Sequence, residues 1–204
     1  VDACAWTEAL DFRPFDEAFS RAASDAVCVR GDRDVGRIAC EVLTRYQRFV
    51  YARNATSDCA TFDAVLRALR ALHDFDKPLV VADWDHAIDT WQWMLRLDPS
   101  ASLSAQLAAL LHDMERLESE ADRRVEHLAP DYQAFKDAHA RRGADRAAAL
   151  LAGAGVEADA GLRAADIVAS HERRGGDAEI DLLNDADGLS FFSLNSPGYA
   201  DYYG

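Results

Sequence analysis

From residue 34 onward the apolar residues recur with the period of an α-helix, and this periodicity limits the possible folds more than any other feature of the chain. Val35, Ile38, Ala39, Val42, Leu43 and Tyr46 make an i, i+3, i+4, i+7 stripe, and Phe62, Val65, Leu66, Leu69 and Leu72 make a second. A third helix is predicted over about 83–97, closed by Asp98-Pro99-Ser100, and a strongly apolar fourth over about 101–117, around Leu103, Leu107, Leu110 and Leu111. Residues 131–152 read as a long helix ended by Gly153 and Gly155. Asp159 is placed to cap a helix reaching about Glu172 and stopped by Gly175-Gly176, and a last helix runs from about Ala178 to Leu194. No useful run of strand-like alternation, hairpin turn or internal repeat interrupts the pattern. The sequence predicts an all-α fold, with the less periodic first thirty residues as a short extension packing on the rest.

Composition narrows the function classes. The 204 residues are 50% hydrophobic and 28% charged, which supplies a core and argues against wholesale disorder. No apolar run approaches the ~20 residues needed to cross a bilayer, so no membrane partner is expected. The first residues lack the basic and apolar segments of a signal peptide, which points to the cytoplasm. Cys4, Cys28, Cys40 and Cys59 are scattered without a Cys-x-x-Cys pair and read as reduced thiols. A net charge of −14 repels a phosphate backbone, which argues against nucleic-acid binding. Lys77 and Lys136 are the only lysines. The other twenty cations are arginines, whose planar fork suits a small anionic ligand.

The histidines carry the most chemical information. His86, His112, His139 and His171 fall one each on four successive predicted helices, each in or near an apolar stretch. Ala108-Ala109-Leu110-Leu111 leads directly into His112-Asp113, so a carboxylate stands beside an imidazole at the end of a buried helix. A buried carboxylate needs a cation, and a metal ion would supply one. Asp185 and Asp187 lie among the core-like Leu182, Leu183, Leu189, Phe191 and Phe192, or else face solvent at a helix edge. His73, before Asp74-Phe75-Asp76, and His127, near Pro130, read as structural or exposed.

Taken in order, His86, His112-Asp113, His139, His171 and Asp187 resemble the HD superfamily of metal-dependent phosphohydrolases, with its His…His-Asp…Asp signature on an all-helical bundle. The stretches that carry the likeness are Asp85-His86-Ala87-Ile88, Leu110-Leu111-His112-Asp113 and Asp185-Ala186-Asp187-Gly188-Leu189. The last is similar to the family's Ala-Asp-Arg-Leu ending, with Gly188 where arginine is common. The likeness covers about residues 80–195. It implies an N-terminal helical extension over 1–79 and an HD-like metal-binding domain over 80–204.

The two additional histidines resemble the two-metal branch of that superfamily. The resemblance then implies that His86, His112, Asp113 and Asp187 hold one ion, and that Asp113 bridges to a second ion on His139 and His171. Four imidazoles and two carboxylates suit first-row divalent metals, iron or manganese above all, with zinc, cobalt or nickel as alternatives. Arg116, four residues after His112, and Lys136 and Arg142, three residues either side of His139, are placed to share faces with the ligands. The leading expectation is hydrolysis of a small phosphate ester or nucleotide by a metal-bridged hydroxide, with Arg116, Lys136 or Arg142 holding non-bridging oxygens. A mixed-valent di-iron oxygenase of the HD type, cleaving a C–H bond of a small polar substrate, uses the same ligands. A metal-dependent sensor, or a plain helical bundle with coincidental histidines, are the non-enzymatic alternatives.

Overall fold

A computed structural model describes Ala52, Thr56 and residues 58–195, all within one unit, Ala52–Gly204. The expected 35–46 stripe, the first thirty residues and the C-terminal tyrosines lie outside the described residues. Among the described residues seven α-helices follow one another: α1 (Cys59–Leu72), α2 (Pro78–Leu97), α3 (Leu103–Leu111), α4 (Arg116–Ser119), α5 (Tyr132–Gly153), α6 (Ala158–Ser170) and α7 (Ala178–Ser190). A 3₁₀ turn, Glu126–Leu128, precedes α5, and a π-helical turn, Phe191–Asn195, continues α7. No strand occurs among the described residues, so the fold is all-α there, as the periodicity requires. No described helix is long and apolar enough to cross a membrane.

The helix starts follow from local chemistry. Asp58, Ser102, Asp131, Glu157 and Asp177 each accept a backbone N–H of the first turn of α1, α3, α5, α6 and α7, satisfying donors that have no partner inside the helix. Glu157 therefore fills the capping role expected of Asp159, which sits inside the first turn. α2 opens instead on Pro78, whose missing N–H and fixed φ suit a first helical position. The chain leaves α5 through Gly155 and approaches α7 through Gly176, with φ of 77° and 89°, values in the left-handed region that glycine tolerates.

α3 is the central rod. Every residue from Ser104 to Leu111 is buried, as expected of a helix apolar around most of its circumference. It packs against α2, α6 and α7 and also meets α1 and α5. Phe62 of α1 stacks on Trp91 of α2 with ring centroids 4.5 Å apart, and Trp91 Nε1 donates to Gln106 Oε1 of α3 at 3.2 Å. α5 and α6 lie along each other, as do α2 and α7. Four helices thus surround the C-terminal end of α3, where His112 begins.

The predicted 101–117 helix is interrupted there. After Leu111 the backbone tightens, with Met114 N bonding Leu111 O at 3.1 Å and Arg116 N bonding Asp113 O at 2.9 Å. The apolar pattern continues through Met114 and Leu117, but Asp113 and Glu115 pair with His139 across the bundle, and those contacts accompany the break.

Candidate metal centre

Four helices each deliver one imidazole, by two local devices. His112 and His171 stand at the C-terminal caps of α3 and α6, where carbonyls lack intrahelical partners. The Nδ1 of His112 is 3.0 Å from Ala109 O, and that of His171 is 2.7 Å from Val168 O. A carbonyl only accepts, so Nδ1 carries the proton and each Nε2 is turned inward. His86 and His139 lie within α2 and α5, and their Nδ1 atoms rest on side chains: Ser190 Oγ at 2.9 Å for His86 and Glu115 Oε2 at 2.7 Å for His139.

The inward nitrogens converge on two carboxylates. His86 and His112 Nε2 are 3.3 Å apart, and both lie 3.8 Å from Oδ2 of Asp113. Asp187 Oδ1 lies 3.0 Å from His86 Nε2 and 3.7 Å from His112 Nε2. The other oxygen of Asp113, Oδ1, is 3.0 Å from His139 Nε2. Ligand atoms of His86, His112 and Asp113 lie within 4.8 Å of one another, as do those of Asp113, His139 and His171. Asp113 is common to both clusters and turns a different oxygen to each.

This donor set fits metal ions. Metal-bound histidine characteristically gives its other ring nitrogen to a carbonyl, hydroxyl or carboxylate, and all four imidazoles do so here. The histidine side chains are 1–6% exposed, which keeps competing water low.

The electrostatics point the same way. Burial disfavours a charged His112, but Asp113, Asp187 and the Ala109 carbonyl outweigh it and push the imidazole up to about 9. Burial is likewise overcome at His139, which Asp113 and Glu115 push up to about 9. Burial raises Asp113, yet Arg116, His112 and His139 hold it well below the ordinary carboxylate range. His112 and His86 do the same for Asp187 against its burial. The site therefore concentrates negative charge that stabilises protons or other cations placed between the rings.

The three cations expected near the ligands are all ion-paired. Arg116 Nε is 3.0 Å from Asp113 Oδ2, and its other nitrogens meet Glu120 at 2.9 Å and Glu126 at 3.1 Å. Arg142 Nε meets Glu115 Oε1 at 2.8 Å, and Lys136 Nζ meets Glu172 Oε2 at 2.7 Å. Arg173 pairs with Asp137 and Arg174 with Asp185, which is exposed. Arg124 pairs with the buried Asp83, with Nη1 3.1 Å from Oδ2. His73 packs against Phe75 and Trp84 and belongs to neither cluster.

Glu115, Glu172 and Ser190 have roles that the sequence reading missed. Glu115 is buried and binds His139, Arg142 and Ser119 together. Glu172 holds Lys136 and lies 3.4 Å from His171 Nε2. A carboxylate two residues beyond His112-Asp113, in an apolar context, is the signal that could have marked Glu115.

The fold and site define an all-helical protein with a buried histidine–carboxylate cluster able to hold metal, compatible with a metal-dependent enzyme. The chain belongs to the DUF4202 family, described as a domain of unknown function, whose profile matches residues 63–202. No curated protein and no solved structure matches the chain.

Proposed function

We propose that this protein is a metal-dependent hydrolase of the HD type that takes two divalent first-row ions and acts on a small phosphate ester or nucleotide. The division of Asp113, with Oδ2 toward His86 and His112 and Oδ1 toward His139, carries the reading. In it, His86, His112, Asp113 and Asp187 would hold one ion, and Asp113, His139 and His171 would hold the other. Mixed imidazole and carboxylate donors suit manganese or iron. Two such ions acidify water near neutrality and draw charge from a phosphoryl oxygen.

The remaining work falls to residues of α5. Lys136 and Arg142 stand one turn before and one turn after His139, and their side chains are 24% and 47% exposed. In this reading these two cations hold the non-bridging oxygens of a substrate anion. Glu172 and Glu115 keep both cations oriented until substrate arrives.

The oxygenase reading draws support from Arg116, whose three acidic partners leave one cation fewer for a phosphate. Activity on a panel of phosphate mono- and diesters, with Mn2+ or Fe2+ restored and oxygen uptake followed in parallel, separates the two. The hydrolase reading requires phosphate release that His112→Ala abolishes. Iron-dependent oxygen consumption without phosphate release overturns it.

A further inference from the structure

We propose that Arg116 is a positioning residue for Asp113, fixing that carboxylate between the two clusters, and that it does not hold substrate. The inference rests on the two-ion reading above and assigns Arg116 a role different from that of Lys136 and Arg142. The Arg116 side chain is 15% exposed, against 47% for Arg142. Its Nε lies 3.0 Å from Asp113 Oδ2, the oxygen turned toward His86 and His112, as a buried charge contact without hydrogen-bond geometry. Its Nη1 and Nη2 donate to Glu120 Oε2 at 2.9 Å and Glu126 Oε2 at 3.1 Å.

Those partners are themselves fixed. The Glu120 side chain is 2% exposed, and its second oxygen accepts the backbone N–H groups of Val125 at 2.6 Å and Glu126 at 3.0 Å. Arg124 stands 3.8 Å from Glu120 and pairs with Asp83 of α2. A substrate oxygen at Nη1 would have to displace the buried Glu120, which also closes the 120–126 loop, and at Nη2 the half-buried Glu126. The guanidinium instead donates both Nη groups to the 120–126 loop and so sets its charge against the bridging carboxylate, an arrangement open to arginine and not to lysine. The connected group comprises Asp83, Asp113, Glu120 and Glu126 against Arg116 and Arg124, so it retains an excess of negative charge beside the metal cluster.

The test is Mn2+ titration of the metal-stripped protein, free Mn2+ being read by electron paramagnetic resonance, for the wild type, Arg116→Lys, Glu120→Gln and Arg146→Gln. Thermal melting of each stripped protein is measured alongside. Loss of such an outer partner lowers metal affinity by about 10–100-fold. Arg116→Lys is expected to weaken Mn2+ binding within that range, Glu120→Gln to weaken it less, and Arg146→Gln, whose partner is the exposed Glu118, to leave it unchanged. Unaltered Mn2+ affinity in Arg116→Lys overturns the proposal, as does a lowered melting temperature at wild-type affinity, which marks a merely structural role. A wild type that takes up no ion removes the metal centre itself, a result distinct from a wild type and Arg116→Lys that bind equally.

Discussion

Glu115 Oε2 lies 2.7 Å from Nδ1 of His139, while the opposite nitrogen of that ring lies 3.0 Å from Asp113. The imidazole is held between two carboxylates, one at the cluster and one behind it. With Arg142 and Ser119 beside it as well as His139, Glu115 is held down to about 2 despite its burial. Glu115→Gln keeps the shape and removes the charge. It is expected to lower affinity for the ion on Asp113, His139 and His171 by about tenfold and to spare the other, as metal titration of the stripped variant would report. Glu115→Ala leaves His139 Nδ1 unpaired in a buried setting and should destabilise the fold by about 1–3 kcal/mol in urea unfolding.

The two clusters share only Asp113, so single ligand losses should have unequal effects. His171→Ala is expected to release one ion and retain the other. Asp113→Ala should release both, and His112→Ala should empty the cluster that contains His86. Elemental analysis of the purified variants gives the stoichiometries. His73→Ala, outside both clusters, should keep the wild-type content.

Proton linkage gives a pH prediction with a definite sign. His112 and His139 are raised to about 9 in the fold, above the ordinary histidine value of about 6.5. Their contribution to the stability of the stripped protein is fully present below about pH 6.5 and is lost as pH rises through about 9. Asp113, Asp187 and Glu115 are lowered, so their contribution is present above the ordinary carboxylate range and is lost on acidification below it. Melting temperature of the stripped protein should therefore fall from pH 6.5 to 9. Mn2+ binding should strengthen over that interval, because fewer protons remain to be displaced. A melting temperature that climbs across that interval would contradict the assignment.

Gly143 sets the approach of α5 to the end of α3. A Cβ there would stand 3.4 Å from His112 O and 3.6 Å from a Val168 methyl, so alanine fits with ordinary contact and a larger side chain does not. Gly143→Leu is expected to lose about 1–3 kcal/mol by overpacking and to weaken metal binding by moving His139, whereas Gly143→Ala keeps both. Denaturant midpoints and Mn2+ titration of the two variants make the comparison.

The parts of the fold that were legible in the sequence are those governed by helical periodicity. Of the stripe Phe62, Val65, Leu66, Leu69 and Leu72, the first two and Leu69 are buried in α1, Leu66 is half-buried and Leu72 at the helix end is exposed, while α5 and α7 begin within a residue of their expected starts. The end of α3 was not legible, because Met114 and Leu117 prolong the apolar pattern while Asp113 and Glu115 are drawn to His139 some 24–26 residues away. The four histidines and Asp113 were legible because imidazoles recur in apolar settings, one to a helix, whereas Asp187 joined them only through the resemblance; it lies 3.0 Å from His86. Their supporting partners were not. Ser190 reaches His86 across 104 positions, and Asp83 takes Arg124 across 41, relationships that only the packing of α2 creates.

The central claim is that Asp113 lies between two ions, and a crystal of the Mn2+-loaded protein tests it most directly through anomalous scattering. The account predicts two peaks about 3.5–4 Å apart, one beside His86, His112 and Asp187 and the other beside His139 and His171, with a carboxylate oxygen of Asp113 on each. A single peak, or rings turned away from one another with no peak among them, would contradict it.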